Sequence, residues 1–140
     1  MNIAFYSPLK PTDSTVPSGD RRMARALISA LEGVGYRVET ASAFVGRDGL
    51  GDPHRQARLE RIGGRLADRL VRRYRRRPAD ERPGLWFTYH LYYKAPDWIG
   101  PRVSEVLDIP YVVAEASHAP KRAGGPWDRG HRAASAAIQR

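Results

Sequence analysis

The chain has no cysteine in its 140 residues. That excludes a disulfide framework and any thiolate metal site. It has no apolar run near the roughly 20 residues that span a bilayer. Its N-terminus lacks the basic segment and long apolar stretch of a secretory signal, so a cytoplasmic protein is the default expectation. Histidine is scarce: His54, His90, His118 and His131 stand far apart, without the short spacings of a zinc site, so no metal is expected. Lysine is scarcer still. Of 24 basic residues only Lys10, Lys94 and Lys121 are lysine. Acids are few as well, 15 against those 24, giving a net charge of +9 and a pI near 10.5. Such a balance suits an anionic partner, whether nucleic acid, membrane or small substrate. No helix-turn-helix, RRM, KH or zinc-finger pattern accompanies it, so a nucleic-acid reading stands on charge alone.

What is present is a regular alternation of strand and helix. Hydrophobic content of 41% is enough for one domain of ordinary size with a buried core. Ile3 to Tyr6 is a short apolar run, and a loop rich in proline, serine and glycine follows it to Gly19. Met23, Leu27, Ala30, Leu31 and Val34 then recur at helical spacing. Gly33 and Gly35 supply a stop, and Tyr36, Val38 and Thr40 alternate with charged residues as in a half-exposed strand. A right-handed crossover would place the two strands parallel.

His54 to Arg77 predicts one long amphipathic helix, with Leu59, Ile62, Leu66, Leu70 and Tyr74 on one face. Arg58, Arg61, Arg65, Arg69, Arg72 and Arg76 form a stripe beside them, with Gly63 and Gly64 as a weak point of about 1 kcal/mol each. Leu85 to Thr88 predicts a buried strand, Pro96 and Asp97 the start of a helix, and Tyr111 to Ala114 a fourth strand. Trp127 to Arg140 closes the chain as a helix. The pattern is β-α-β-α-β-α-β-α, which implies a parallel sheet with helices on both faces, a Rossmann-like α/β fold.

Ligands of such sheets bind at the carboxyl ends of the strands. Ser18, Gly19 and Asp20 fall there, at the start of the first helix, where free backbone N–H groups and the helix dipole favour an anion. Arg21 and Arg22 would reinforce that site, unless Asp20 neutralises them. His90 and His118 fall just past the third and fourth strands. Glu115 could contact a substrate hydroxyl or pair with Lys121 or Arg122. Tyr92, Tyr93 and Trp98 could stack on a ligand or fill the core.

The residues resemble a known family. Asn2 to Pro8, the turn Pro17 to Asp20, the segment Ala26 to Val38, the segment Pro83 to His90, and Ile109 to Val113 followed by His118 are together similar to the N-terminal domain of GT-B retaining glycosyltransferases, group 1/family 4. The resemblance covers nearly the whole chain. It departs where the family often has Gly-Gly and this chain has Ser18-Gly19, and where Ala116-Ser117 precede His118 in place of a Thr-x pair. The resemblance implies that residues 1–140 are a single acceptor-side domain, the N-terminal half of a GT-B fold, and that the C-terminal nucleotide-sugar domain is absent from them. It further implies transfer of a sugar from a nucleotide-sugar to an acceptor hydroxyl, with no cofactor and with a sugar or lipid-linked acceptor. His118 is then the candidate catalytic residue, and Ser18, Gly19, Asp20, His90, Glu115 and Lys121 are candidates for substrate binding. The Arg58–Arg76 stripe would give weak association with an anionic membrane face. The alternatives are a basic nucleic-acid-binding protein and a stand-alone ligand-binding module.

Overall fold

The run from Asn2 to Tyr6 forms strand β1, and it is the innermost element of the sheet. Ile3 to Tyr6 are buried, and β1 pairs in parallel on both sides. The computed structural model describes all residues from Met1 to Arg140. Helix α1 spans Gly19–Gly33, strand β2 Arg37–Thr40, helix α2 Pro53–Arg75 and strand β3 Pro83–Leu91. Helix α3 spans Gly100–Leu107, strand β4 Tyr111–Ala116 and helix α4 Asp128–Ile138. The four strands are all parallel in the order β2-β1-β3-β4, which is the expected Rossmann-like α/β sheet. The chain leaves β1 toward β2 and then returns past it to β3. The direction of winding therefore reverses between β1 and β3, and in such sheets ligands bind at the carboxyl ends of the strands beside that reversal.

Alternation along the strands divides the core between the two faces. Ala4, Tyr6 and Trp86 meet Ala67, Leu70, Val71 and Tyr74 of α2 and Val103 of α3. Leu91, with Tyr111 and Val113, meets Ala134 and Ala137 of α4 on that same side. Phe5, Phe87 and Tyr89 face the other way, toward α1. The inner side of α1 is Ala24, Leu27 and Ile28, whereas Met23 and Val34 are 50% and 73% exposed. The apolar stripe in the sequence is thus about one residue out of phase. The small side chain of Ala24 sits against Phe5 and Tyr89, where Met23 would hold the helix off the sheet.

Asp52 caps α2 by accepting from the N–H groups of His54 and Arg55, and Pro53 starts its first turn. Gly63 is a contact point and not a weak point. A Cβ there would collide with the Cβ and carbonyl of Trp98, whereas Gly64 has open space.

Helix α3 starts at Gly100, later than Pro96 and Asp97, because Asp97 acts as an acceptor ahead of it. One carboxylate oxygen accepts from the N–H groups of Ile99 (2.9 Å) and Gly100 (2.7 Å). The other accepts from Trp86 Nε1, Thr88 Oγ1 and Tyr111 Oη. This buried carboxylate has no cation beside it. Its five donors and the N-terminus of α3 balance the charge.

Candidate functional site at the carboxyl edge of the sheet

Strands β3 and β4 pair through Tyr89 with Ala114 and through Leu91 with Ala116. Between those pairs stand His90 and Glu115, with φ of 59° and 61°. Neither is glycine. A left-handed backbone at such residues costs on the order of 1–3 kcal/mol and persists only where the surroundings impose it. Two strained residues side by side interrupt the ladder at the carboxyl edge, and both lie where the sequence placed site candidates.

His90 Nδ1 lies 2.9 Å from Asp20 Oδ1, and both side chains are partly shielded from water. Asp20 is the second residue of α1. The N-cap Ser18 accepts from Arg21 N–H at 3.2 Å and fixes that turn. A carboxylate there is favoured by the helix N-terminus. As an acceptor it draws the proton of neutral His90 to Nδ1 and leaves Nε2 with its lone pair. That is the geometry of a base held by a carboxylate.

Tyr89 adjoins the pair, its ring 5.8 Å from that of His90. Burial, then the carboxylates of Glu115 and Asp20, push its hydroxyl up to about 12, so it stays protonated at neutral pH.

A row of rings continues from His90. Tyr92 stacks on it at 5.6 Å, Tyr93 meets Tyr92 edge-on at 5.5 Å, and Trp127 meets Tyr93 at 5.6 Å. Lys94 and Arg122 lie over the last two rings. The row is anchored from beneath. Trp127 Nε1 donates to the Asp48 carbonyl, and Asp48 N–H donates to the Lys94 carbonyl. Gln56 donates to the Asp48 carboxylate and to the Pro126 carbonyl, and accepts from Gly130 N–H. Gly130 lies against the Tyr93 carbonyl, where a Cβ would not fit. Burial opposes the charge on Asp48, but hydrogen bonds from Gln56, Leu50 and Asp52 and the nearby Arg55 outweigh it and hold the carboxyl below its ordinary range.

The candidates separate into two groups. Ser18, Gly19, Asp20, His90 and Glu115 share the edge between α1 and the ends of β3 and β4. His118 and Lys121 lie elsewhere. His118 is exposed, 3.2 Å from Ser135 Oγ of α4, with its ring 5.5 Å from His131. Lys121 is exposed in the short 3-10 turn Pro120–Arg122. The expected ion pair of Glu115 with Lys121 or Arg122 does not form; Glu115 stands beside Tyr89, and Arg122 is taken up by the rings. Asp20 does not neutralise Arg21 or Arg22, since it is turned to His90. Arg21 Nη1 donates instead to the Ser14 carbonyl at 2.6 Å. The sequence alone does not single out Tyr89, Asp48 or Gln56. A tyrosine directly before His90 was the only local signal, and the Asp48–Gln56 pair shows none.

A hollow of about 530 Å³ beside the first turns of α2 is lined by Asp52, His54, Arg55, Arg58, Leu59 and Ile62 and holds none of the edge groups. No group of three or more His, Asp or Glu side chains is gathered closely enough to hold a metal ion. No helix is long and apolar enough to cross a membrane. All six arginines of the stripe from Arg58 to Arg76 are exposed and without an ion pair, while the two acids among them turn aside, Glu60 to Arg129 and Asp68 to Arg102. Compared with known proteins, the chain has no significant match to any family model, curated protein or solved structure.

Proposed function

We propose that this domain is the acceptor-binding part of a glycosyltransferase, and that Asp20 and His90 accept the proton of the attacking hydroxyl. The observation that carries this reading is the 2.9 Å contact between Asp20 Oδ1 and His90 Nδ1 at the carboxyl edge of the sheet, where β1 and β3 are neighbours. In the reaction, the acceptor oxygen forms a bond to the anomeric carbon of a nucleotide-sugar. The bond from that carbon to the diphosphate breaks, and the nucleoside diphosphate leaves with the electron pair. The hydroxyl proton passes to His90 Nε2, and Asp20 stabilises the imidazolium. A positioned base of this kind contributes about 10²–10⁴-fold to rate. Sugar hydroxyls would find Glu115 as an acceptor and Tyr92 as an apolar plate. His118, the residue that the resemblance implies for catalysis, is a weaker candidate here, because it is exposed against α4 and away from Asp20.

The test is transfer from a panel of nucleotide-sugars to saccharide acceptors, using the full gene product. His90→Gln is expected to lower turnover at least a hundredfold with little change in acceptor binding, and His118→Ala to leave turnover within a few-fold. Full turnover in His90→Gln would end this reading.

The unpaired arginine stripe on α2 supports a second contact, with an anionic membrane surface. Each basic residue near such a surface contributes about 1 kcal/mol at low salt. Sedimentation with anionic but not neutral vesicles is expected, and equal binding to both would remove the membrane from the account.

A further inference from the structure

Two places in this molecule bring a pair of cations onto aromatic rings, and only one of them has an anion. Arg73 and Arg77 lie 5.0 and 4.9 Å from the centre of the Tyr74 ring. Both are paired with Glu39, at 3.4 and 2.9 Å. At the carboxyl edge the arrangement recurs without the carboxylate. Arg122 lies 4.8 Å from the Tyr93 ring centre and 5.1 Å from that of Trp127. Lys94 Nζ lies 5.1 Å from the Trp127 ring centre and 5.9 Å from that of Tyr93. Neither cation forms an ion pair, and Arg122 Nε is shielded from water with no hydrogen-bond partner.

Two like charges over the same two rings repel, and apolar surroundings strengthen that repulsion. The rings compensate in part through cation–π attraction. The frame beneath fixes the backbone that carries Lys94 and the indole on which the cations lie. Lys94 is tied through its carbonyl to Asp48 N–H, and Trp127 through its indole to the Asp48 carbonyl. A site built in advance around two positive charges suits a ligand carrying two negative ones. A phosphate monoester meets that need: it is a dianion near neutral pH, its oxygens fit the forked guanidinium, and the ammonium adds a point charge.

We infer that Lys94 and Arg122, seated on Tyr93 and Trp127, form a binding site for a phosphoryl group. The site stands on the two unpaired cations and the rings that seat them, independently of whether Asp20 and His90 act on a hydroxyl. The phosphoryl group belongs either to a small soluble ester or to a lipid headgroup.

Titration with glycerol 3-phosphate at constant ionic strength, followed by the Trp127 indole signal in ¹H–¹⁵N spectra of the full chain, tests it. Saturable binding is expected. Arg122→Gln and Lys94→Gln should each raise Kd at least tenfold, and Arg122→Lys should raise it less than Arg122→Gln. Arg75→Gln, in the last turn of α2 and outside the stripe, should leave it unchanged. The same spectra report whether each variant is folded. Absence of a saturable shift in the wild type, unchanged affinity in Arg122→Gln, or equal weakening by Arg75→Gln would overturn the inference. Vesicles separate the two sources. Sedimentation with phosphatidic acid but not phosphatidylcholine, lost in Arg122→Gln, supports the site with a lipid headgroup as its ligand. Soluble binding without Arg122-dependent sedimentation supports it with a soluble ester.

Discussion

Two aspartates at opposite depths of the sheet show how this chain uses the same side chain in two ways. Asp97 is buried, and its two oxygens accept from Trp86, Thr88, Tyr111, Ile99 and Gly100. Every lone pair that the core can reach is spent on holding β3, β4 and α3 together. Asp20 lies at the edge, partly open to water, and bonds one imidazole whose far nitrogen has no protein partner. The backbone follows the same division. The strands run as a regular parallel ladder through the core, and the two left-handed residues of β3 and β4 fall at the edge beside Asp20. A saturated carboxylate maintains the fold. One with a single partner, next to strained backbone, keeps lone pairs that a ligand could reach.

The comparison predicts that changes around Asp97 act on stability and changes around Asp20 act on function. The largest effect is expected from Asp97→Ala. It removes the acceptor of five donors, of which Trp86 keeps Thr88 Oγ1 at 2.8 Å; each of the other four costs about 1–3 kcal/mol when buried and unpaired, against a net stability of about 5–15 kcal/mol for a domain. Urea denaturation should show a loss of at least about 3 kcal/mol. A loss below about 1 kcal/mol would mean that water replaces the carboxylate and that the core is less closed than described.

Gly63→Ala comes next. Alanine gains about 1 kcal/mol in helix propensity, but its Cβ meets Trp98 backbone and side chain, and overpacking of this kind costs about 1–3 kcal/mol. Net destabilisation is expected. A rise in melting temperature would show that α2 can move off Trp98.

The tyrosines give the pH dependence. Burial first, and nearby carboxylates second, raise the hydroxyls of Tyr6, Tyr74, Tyr89 and Tyr111 above their ordinary value. An acid with a raised folded-state pKa contributes stability that is fully present below its unfolded value, near 10. That stability is lost as pH rises through the folded value. For Tyr89 the window runs from about 10 to about 12. Denaturation midpoints should therefore be lower at pH 11 than at pH 9, and Tyr89→Phe should reduce the difference. Equal midpoints at the two pH values would contradict this. Smallest in stability is Asp20→Asn, expected within about 1 kcal/mol because the pair is partly exposed, although under the proposed function transfer turnover should fall at least tenfold.

Much of the fold was legible because periodicity is local. Ile3 to Tyr6 and the α2 leucines announce their elements within a few residues. Boundaries were less so. Strand β3 continues to Leu91 because its ladder with β4 resumes after His90, and α3 waits for Gly100 because Asp97 serves as its acceptor. The site was legible one residue at a time. Asp20 and His90 were each visible at strand ends, but the bond between them joins positions 70 apart. Only the strand order, with β1 beside β3, brings them together. His118, which the resemblance made the catalytic candidate, lies apart from His90 because the chain after β4 turns it onto α4.

The most direct test of the central claim is the tautomer of His90, read from long-range ¹H–¹⁵N correlations at a pH where the ring is neutral. The account predicts a proton on Nδ1, donated to Asp20, and a bare Nε2, with this preference weakened in Asp20→Asn. A proton on Nε2 in the wild type, or a tautomer indifferent to Asp20→Asn, would contradict it.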